Sequence, residues 1–327
     1  MPDQPVATPQ ADPPVGRLAM ARGALGSRAV RYGFVVVAVG LGAYAVVRQW
    51  PDVRLSLVQI GVLPAIGALV AAVAGLGFAV QVWRVLLAAL GTPLPLRASA
   101  KVVFVGQLGK YLPGSVWPVL AQMELGTTYH VPRARSATAS VLTMLVSLLG
   151  GLIAALVTLP FLAGSATGYW WAFLAAPVLL ALLHPRLLNP LLDRLLRLAR
   201  RPPLERPLTG GRVLVALGWA MVSWLLYGLQ LWLLIARLGA PDGRTILIAI
   251  GGFAFAWCVG FLVVFAPAGA GIRDLLLVAL LGPVVGTAGA TAVALVSRIL
   301  MTVGDLVLAA VAAWSGRHAG VGRPRAP

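Results

Sequence analysis

One cysteine, three histidines and nine acidic residues are all that this chain of 327 residues holds of those types. A lone Cys258 excludes an intrachain disulfide and any cysteine-built metal site. His130, His184 and His318 are scattered, without the spacing of metal ligands. The shortage of acids leaves Glu124, Asp274 and Asp305 as the carboxylates open to general acid–base work, and no nucleophile–base pair accompanies them. No catalytic residue is therefore assigned, and no cofactor, metal or nucleotide-binding motif is readable. Charge is scarce as well: 11% of residues are charged, against about 25% in soluble domains. That excludes a soluble globular enzyme of this length.

What fills the chain is apolar. Hydrophobic residues make up 60% of it, in repeated runs long enough to cross a hydrocarbon core of about 30 Å. The predicted fold is an all-α polytopic membrane protein. The net charge of +17 is carried mostly by Arg in the segments between runs. In this setting it fits the positive-inside rule and attraction to anionic inner-leaflet lipid, not nucleic acid.

The expected organisation is a disordered basic N-terminal tail (1–30), a transmembrane domain (31–315) and a short C-terminal tail (316–327). Arg17, Arg22, Arg28 and Arg31 precede an apolar run at 32–47, read as an uncleaved first helix although Ala43-Tyr44-Ala45 mimics a cleavage site. A short outer loop is expected at 48–54, and a spanning helix within 57–80. Clean spans are expected at 137–162, 213–235 and 246–265, with a return helix at 171–183 and a last long helix at 287–314. Tyr169, Trp170 and Trp171 read as interface anchors. Segment 185–212 holds seven Arg. Within it, Leu188, Leu191, Leu192, Leu195 and Leu196 recur at helical spacing opposite Arg194, Arg197 and Arg201. That predicts a basic amphipathic helix on the cytoplasmic surface. The sum is about eight crossings plus one re-entrant hairpin, in a cell-membrane protein with both termini cytoplasmic. Segment 275–285 is near half the usual spanning length.

The hairpin is predicted at residues 104–118, FVGQLGKYLPGSVWP. A lysine at membrane depth costs about 2.5–3.5 kcal/mol or more, and the run then breaks at Leu112-Pro113-Gly114. Both flanks are basic, so the segment enters and leaves on one side. Gln107, Lys110 and Tyr111 are spaced to share one helical face, which is read as facing a polar cavity; for Lys110, snorkelling to the surface is the alternative. A second break, at 266–274, falls at a comparable place in the other half. Paired Pro/Gly interruptions point to a midplane binding site, and an inverted repeat would relate the halves. A broken helix exposes unpaired N–H groups that favour an anion. The candidate substrate-binding set is Gln107, Lys110, Tyr111, Pro113, Gly114, Ser115, Trp117, Gly269, Gly271, Arg273, Asp274 and Arg298. Ser115 would cap the second half-helix. Arg298 has an equal reading as a clasp to Asp274 or Asp305, and Arg84 and Glu124 are a candidate interfacial pair.

The motifs 106–117 and 267–274, with Pro132-Arg133 and Arg298, resemble the membrane region of lysylphosphatidylglycerol synthase/flippases over about residues 30–315. Where that family reads Pro-Gly-Gly-x-Gly-x-Arg-Glu, this chain has Ala268 for a Gly and Asp274 for the Glu. The resemblance implies movement of a phospholipid or lipid-linked headgroup between leaflets. It also implies that the soluble aminoacyl-transferring domain is missing, so lysylphosphatidylglycerol synthase activity is not expected. The alternatives to transport are a non-catalytic subunit role in an envelope-lipid assembly complex and, less favoured, a lysylphosphatidylglycerol synthase-type headgroup transferase; an envelope-assembly protein or a second copy of the chain is the partner expected beside lipid.

Overall fold

The computed structural model describes residues 50–111, 116–162, 177–198, 207–239, 242–263, 269 and 271–318. The predicted first helix at 32–47, the aromatic cluster 169–171, the N-terminal tail, the C-terminal tail beyond His318 and Pro113, Gly114 and Ser115 lie outside the described residues. Everything regular among those described is helical. In order these are α1 (Trp50–Ile60), α2 (Val62–Ala89), α3 (Leu96–Gln107), a 3₁₀ turn (Leu108–Tyr111), α4 (Trp117–Thr127), α5 (Arg133–Leu162), α6 (Pro185–Leu198), α7 (Gly210–Ile235), α8 (Gly243–Leu262) and α9 (Ile272–His318).

Five segments are long and apolar enough to cross a membrane: Val62–Ala89, Arg133–Thr158, Gly210–Ile235, Gly243–Leu262 and Ile272–Ser315. Their outward residues are apolar too, among them Ile66, Val70, Leu214, Leu225, Ile299 and Val311. In water such a surface would be an aggregation liability; in a bilayer it is the lipid-facing side. The protein is thus an all-α multi-pass membrane protein.

The expected loop at 48–54 is corrected from Trp50 onward. Trp50–Ile60 is helical, with Pro51 in the first turn, where its missing N–H costs nothing, and Asp52 facing the positive helix end. The apolar run beyond it is split at Gly61.

The half-length hairpin is present. α3 has 12 residues and α4 has 11, so each is roughly 17 Å long at 1.5 Å per residue, about half a hydrocarbon core. The two legs touch backbone to side chain and backbone to backbone. A Cβ on Gly106 would fall 2.5 Å from Gln122 Cγ, and one on Gly109 would fall 2.8 Å from the Trp117 carbonyl carbon. Only residues without a side chain allow that approach. Pro118 sits in the first turn of α4, where no intrahelical donor is lost.

The last long element is bent where the sequence marks it. Gly286 has φ 74° and ψ 159°, outside helical space, between two helical legs. The first leg, from Ile272 to Val285, is about 21 Å long, short of a full crossing.

Two buried apolar clusters hold the bundle. One joins α1, the early part of α2, the later part of α7, α8 and α9, around Leu231, Phe253, Leu277 and Val293. The other joins the later part of α2 to α3, α5 and the start of α7, around Trp83, Leu86, Leu142 and Leu188. α2 and α7 pack along each other and run through both. Leu188 of the basic helix α6 is fully buried in the second cluster, so α6 leans on the bundle. Asn189 fixes it there: its side chain donates to Leu208 O (3.0 Å) and accepts from Leu208 N (2.9 Å). Arg186, Arg194 and Arg197 stay exposed.

Candidate functional site

Between the two clusters lies a cavity of about 230 Å³. Its wall is mostly apolar and aromatic, with Trp83, Trp224, Tyr227, Trp257 and Phe261. One part is charged, and those charges come from the two broken segments and the second leg of α9. Gln107, Lys110 and Tyr111 reach it from the end of α3 and the 3₁₀ turn; Gly269, Arg273, Arg298 and Asp305 reach it from the second break and α9. The passage from α-helix to 3₁₀ after Gln107 keeps all three hairpin side chains on the cavity side.

The ionisable groups are paired, as membrane depth demands. Lys110 Nζ lies 2.5 Å from Asp305 Oδ2. The Tyr111 hydroxyl donates to the same oxygen at 2.7 Å. Asp305 is 5% exposed, so it is held by a cation and a phenol from the hairpin tip. Its helix is thereby tied to the hairpin across 194 positions of sequence. The second pair is Arg298 with Asp274, joining the two legs of α9 on either side of Gly286. Asp274 also accepts from the backbone N–H of Gly271 (3.2 Å), which closes the turn at the start of α9. Of the two partners weighed for Arg298, the structure selects Asp274.

Arg273 is different. It is 7% exposed, and among the described residues its Nε has no hydrogen-bond partner. The nearest carboxylate oxygen, Asp274 Oδ1, is 3.8 Å away, beyond hydrogen-bond reach. Its guanidinium lies over the Phe253 ring, 5.7 Å from the centroid. The close start of α9 beneath α8 places it there: a Cβ on Gly260 would lie 3.2 Å from Arg273 Cβ.

A neutral polar chain lines another part of the wall. Trp83 Nε1 donates to Ser140 Oγ (3.2 Å), and Ser140 Oγ donates to Gln122 Oε1 (2.5 Å). Ser136 Oγ donates to Gln122 O (2.9 Å). These bonds tie α4 of the hairpin to α2 and α5.

Of the twelve expected site residues, Gln107, Lys110, Tyr111, Gly269, Arg273 and Arg298 line the cavity together. Asp274 stands behind them as the partner of both arginines, and Gly271 holds Asp274. Trp117 is 44% exposed and does not line the cavity. Pro113, Gly114 and Ser115 are outside the described residues. The Arg84–Glu124 pairing is overturned. Arg84 donates to Gln81, one turn away (2.8 Å), and Glu124 takes Arg133 in a two-bond pair at 2.9 Å each. Among the wall residues missed as site members are Asp305, Gln122, Ser140 and Tyr227. Asp305 carried a signal, being an acid in an apolar run seven residues after Arg298. Gln122 and Ser140 were legible only as polar residues within apolar stretches.

A charged, aromatic-walled cavity at two broken helices of an α-helical bundle defines a multi-pass membrane protein with an internal polar site. The chain belongs to the lysylphosphatidylglycerol synthase TM region family, whose model matches residues 23–309. No curated protein matches it.

Proposed function

We propose that this protein is a lipid flippase of the cell membrane, taking the anionic or lipid-linked headgroup of a phospholipid-like molecule into the cavity and releasing it to the other leaflet. One observation carries the reading: the charged side chains of two separate broken segments converge on one cavity, where a fold needing only stability would have placed apolar residues. Membership of the family supports a lipid context. A headgroup would meet Arg273 and Lys110, and its acyl chains would stay in lipid. The hairpin tip is held to α9 by Lys110 and Tyr111 on Asp305. Loosening that latch is the step that would open the cavity toward one leaflet. With Arg186, Arg194 and Arg197 exposed on α6, that helix faces anionic inner-leaflet lipid, and both termini are cytoplasmic.

The test is headgroup translocation in vesicles reconstituted with the purified protein, read by quenching of an acyl-labelled lipid in the outer leaflet. The wild type should exceed protein-free vesicles, and Lys110→Ala combined with Arg273→Ala should fall back toward them. Equal rates for wild type and the double variant would sink the proposal.

A further inference from the structure

We infer that the cavity selects a headgroup carrying one net negative charge and turns away cationic ones; the inference rests on reading this cavity as a lipid-headgroup site. The charges that line it, with the groups ion-paired to them, are Lys110, Arg273 and Arg298 against Asp274 and Asp305. Three cations less two carboxylates leave one positive charge. Apart from the phenols of Tyr111 and Tyr227, no other ionisable side chain among the described residues lines the cavity.

Both carboxylates already face cations of the site. Asp305 is taken by Lys110 and Tyr111. Asp274 is taken by Arg298 and Gly271 N–H through Oδ2; its other oxygen, Oδ1, is buried without a hydrogen-bond partner among the described residues and lies 3.8 Å from Arg273 Nε. A cation approaching that oxygen would stand beside two guanidinium groups. In a low-dielectric wall such like-charge contact is unfavourable.

The uncompensated charge resides on Arg273. Both other cations have a carboxylate oxygen within direct contact distance, whereas the Nε of Arg273 has no hydrogen-bond partner among the described residues. A buried cation without a bonded counter-ion is costly. Its planar fork matches two oxygens of a phosphate, which an ammonium would not. The rest of the wall near the hairpin, including Gln107, Thr143 and Ser147, can hydrogen-bond without adding charge. A phosphodiester headgroup with no other net charge brings the sum to zero. A zwitterionic headgroup leaves it at plus one, and a lysyl-esterified one raises it.

Native mass spectrometry of the full chain, released from micelles holding equal amounts of four lipids, tests this. The lipids are phosphatidylglycerol (one negative charge), phosphatidylethanolamine (zwitterionic), phosphatidic acid (up to two negative charges) and lysyl-phosphatidylglycerol (positive). Phosphatidylglycerol should be retained over phosphatidylethanolamine by about tenfold or more, the scale of one unscreened charge contact, with the lysyl lipid last. Arg273→Gln, which brings the site to zero, should abolish that preference, and Arg273→Lys should keep much of it. Asp305→Asn, which raises the site to plus two, should move the preference toward phosphatidic acid. Should a variant fail to fold, the wild-type ranking alone decides. Equal retention of all four lipids, or preference for the lysyl lipid, would overturn the inference. Displacement of phosphatidylglycerol by soluble glycerol phosphate at equal concentration would overturn its lipid part. Selective retention without translocation in vesicles would instead overturn the transport proposal and leave the charge rule standing.

Discussion

The contact between the hairpin tip and α9 makes a quantitative prediction. Asp305→Asn removes the charge that Lys110 faces at 2.5 Å and weakens the bond from Tyr111 at 2.7 Å. Breaking a fully buried ion pair from one side costs about 3–5 kcal/mol, and exposed pairs are worth about 0–1 kcal/mol. This pair lies between those limits, because the Asp305 side chain is 6% exposed and that of Lys110 28%. We therefore expect about 2 kcal/mol for the charge. The Tyr111 bond adds under about 1 kcal/mol, since Asn keeps an acceptor oxygen. Lys110→Met should cost about 2 kcal/mol as well, because it strands Asp305 beside Tyr111 alone. Ten tryptophans make reversible unfolding in mixed micelles readable by intrinsic fluorescence. In the double variant Lys110→Met with Asp305→Asn, neither partner is stranded. Its loss should fall short of the sum of the singles by about 1–2 kcal/mol. Additivity within about 0.5 kcal/mol would show that the two groups do not act on each other, and the latch would have to be abandoned.

Two further predictions concern the backbone, and both are read by the same unfolding measurement. Gly109→Ala sets a methyl group 2.8 Å from the Trp117 carbonyl carbon. It should cost about 1–3 kcal/mol by forcing the hairpin legs apart, whereas Gly211→Ala, with open space around it, should stay within about 0.5 kcal/mol. Gly286→Ala places a side chain at φ 74°, ψ 159°, a region reserved for glycine. A loss of about 1–3 kcal/mol is expected, despite open space at that position. No loss there would mean that the bend in α9 is not fixed by its backbone.

The sequence made some of this legible and hid the rest for physical reasons. Apolar runs and basic intervals gave the helices from α2 onward, because burial in lipid imposes length and composition together. The hairpin was legible because Pro, Gly and Lys are each costly in a spanning helix, and all three stand together at 110–114. Pairing was legible only in part. Helical periodicity placed Arg298 and Asp305 on one face and invited a pair between them. The bend at Gly286 instead brings Asp274 to Arg298, leaving Asp305 for the hairpin. That choice depends on how far two legs fold back on each other, which no local pattern encodes. Arg84 and Glu124 failed for a similar reason: each found a closer partner, at three residues and nine.

The arrangement of the pairs also bears on how such a site would work. Lys110 and Tyr111 belong to the hairpin, and their partner belongs to α9; Arg298 and Asp274 both belong to α9. The first set spans two elements, and the second ties one element across its own bend. An anion drawn to Arg273 comes to stand near Lys110 and Asp305, which line the same cavity. It would attract Lys110 and repel Asp305, and so would loosen the contact that holds the hairpin to α9. The α9 clasp is already neutral within itself and is left in place. Binding and opening would then be coupled through a single ion pair. Neutralising Lys110 brings the net charge of the site to zero, so it should weaken retention of the anion, and at saturating lipid it should remove the dependence of hairpin movement on the bound lipid. A distance probe between the hairpin tip and the second leg of α9 would read this. Lipid should lengthen the distance in the wild type and leave it unchanged in Lys110→Met. A lipid-dependent change of equal size in both proteins would refute the coupling.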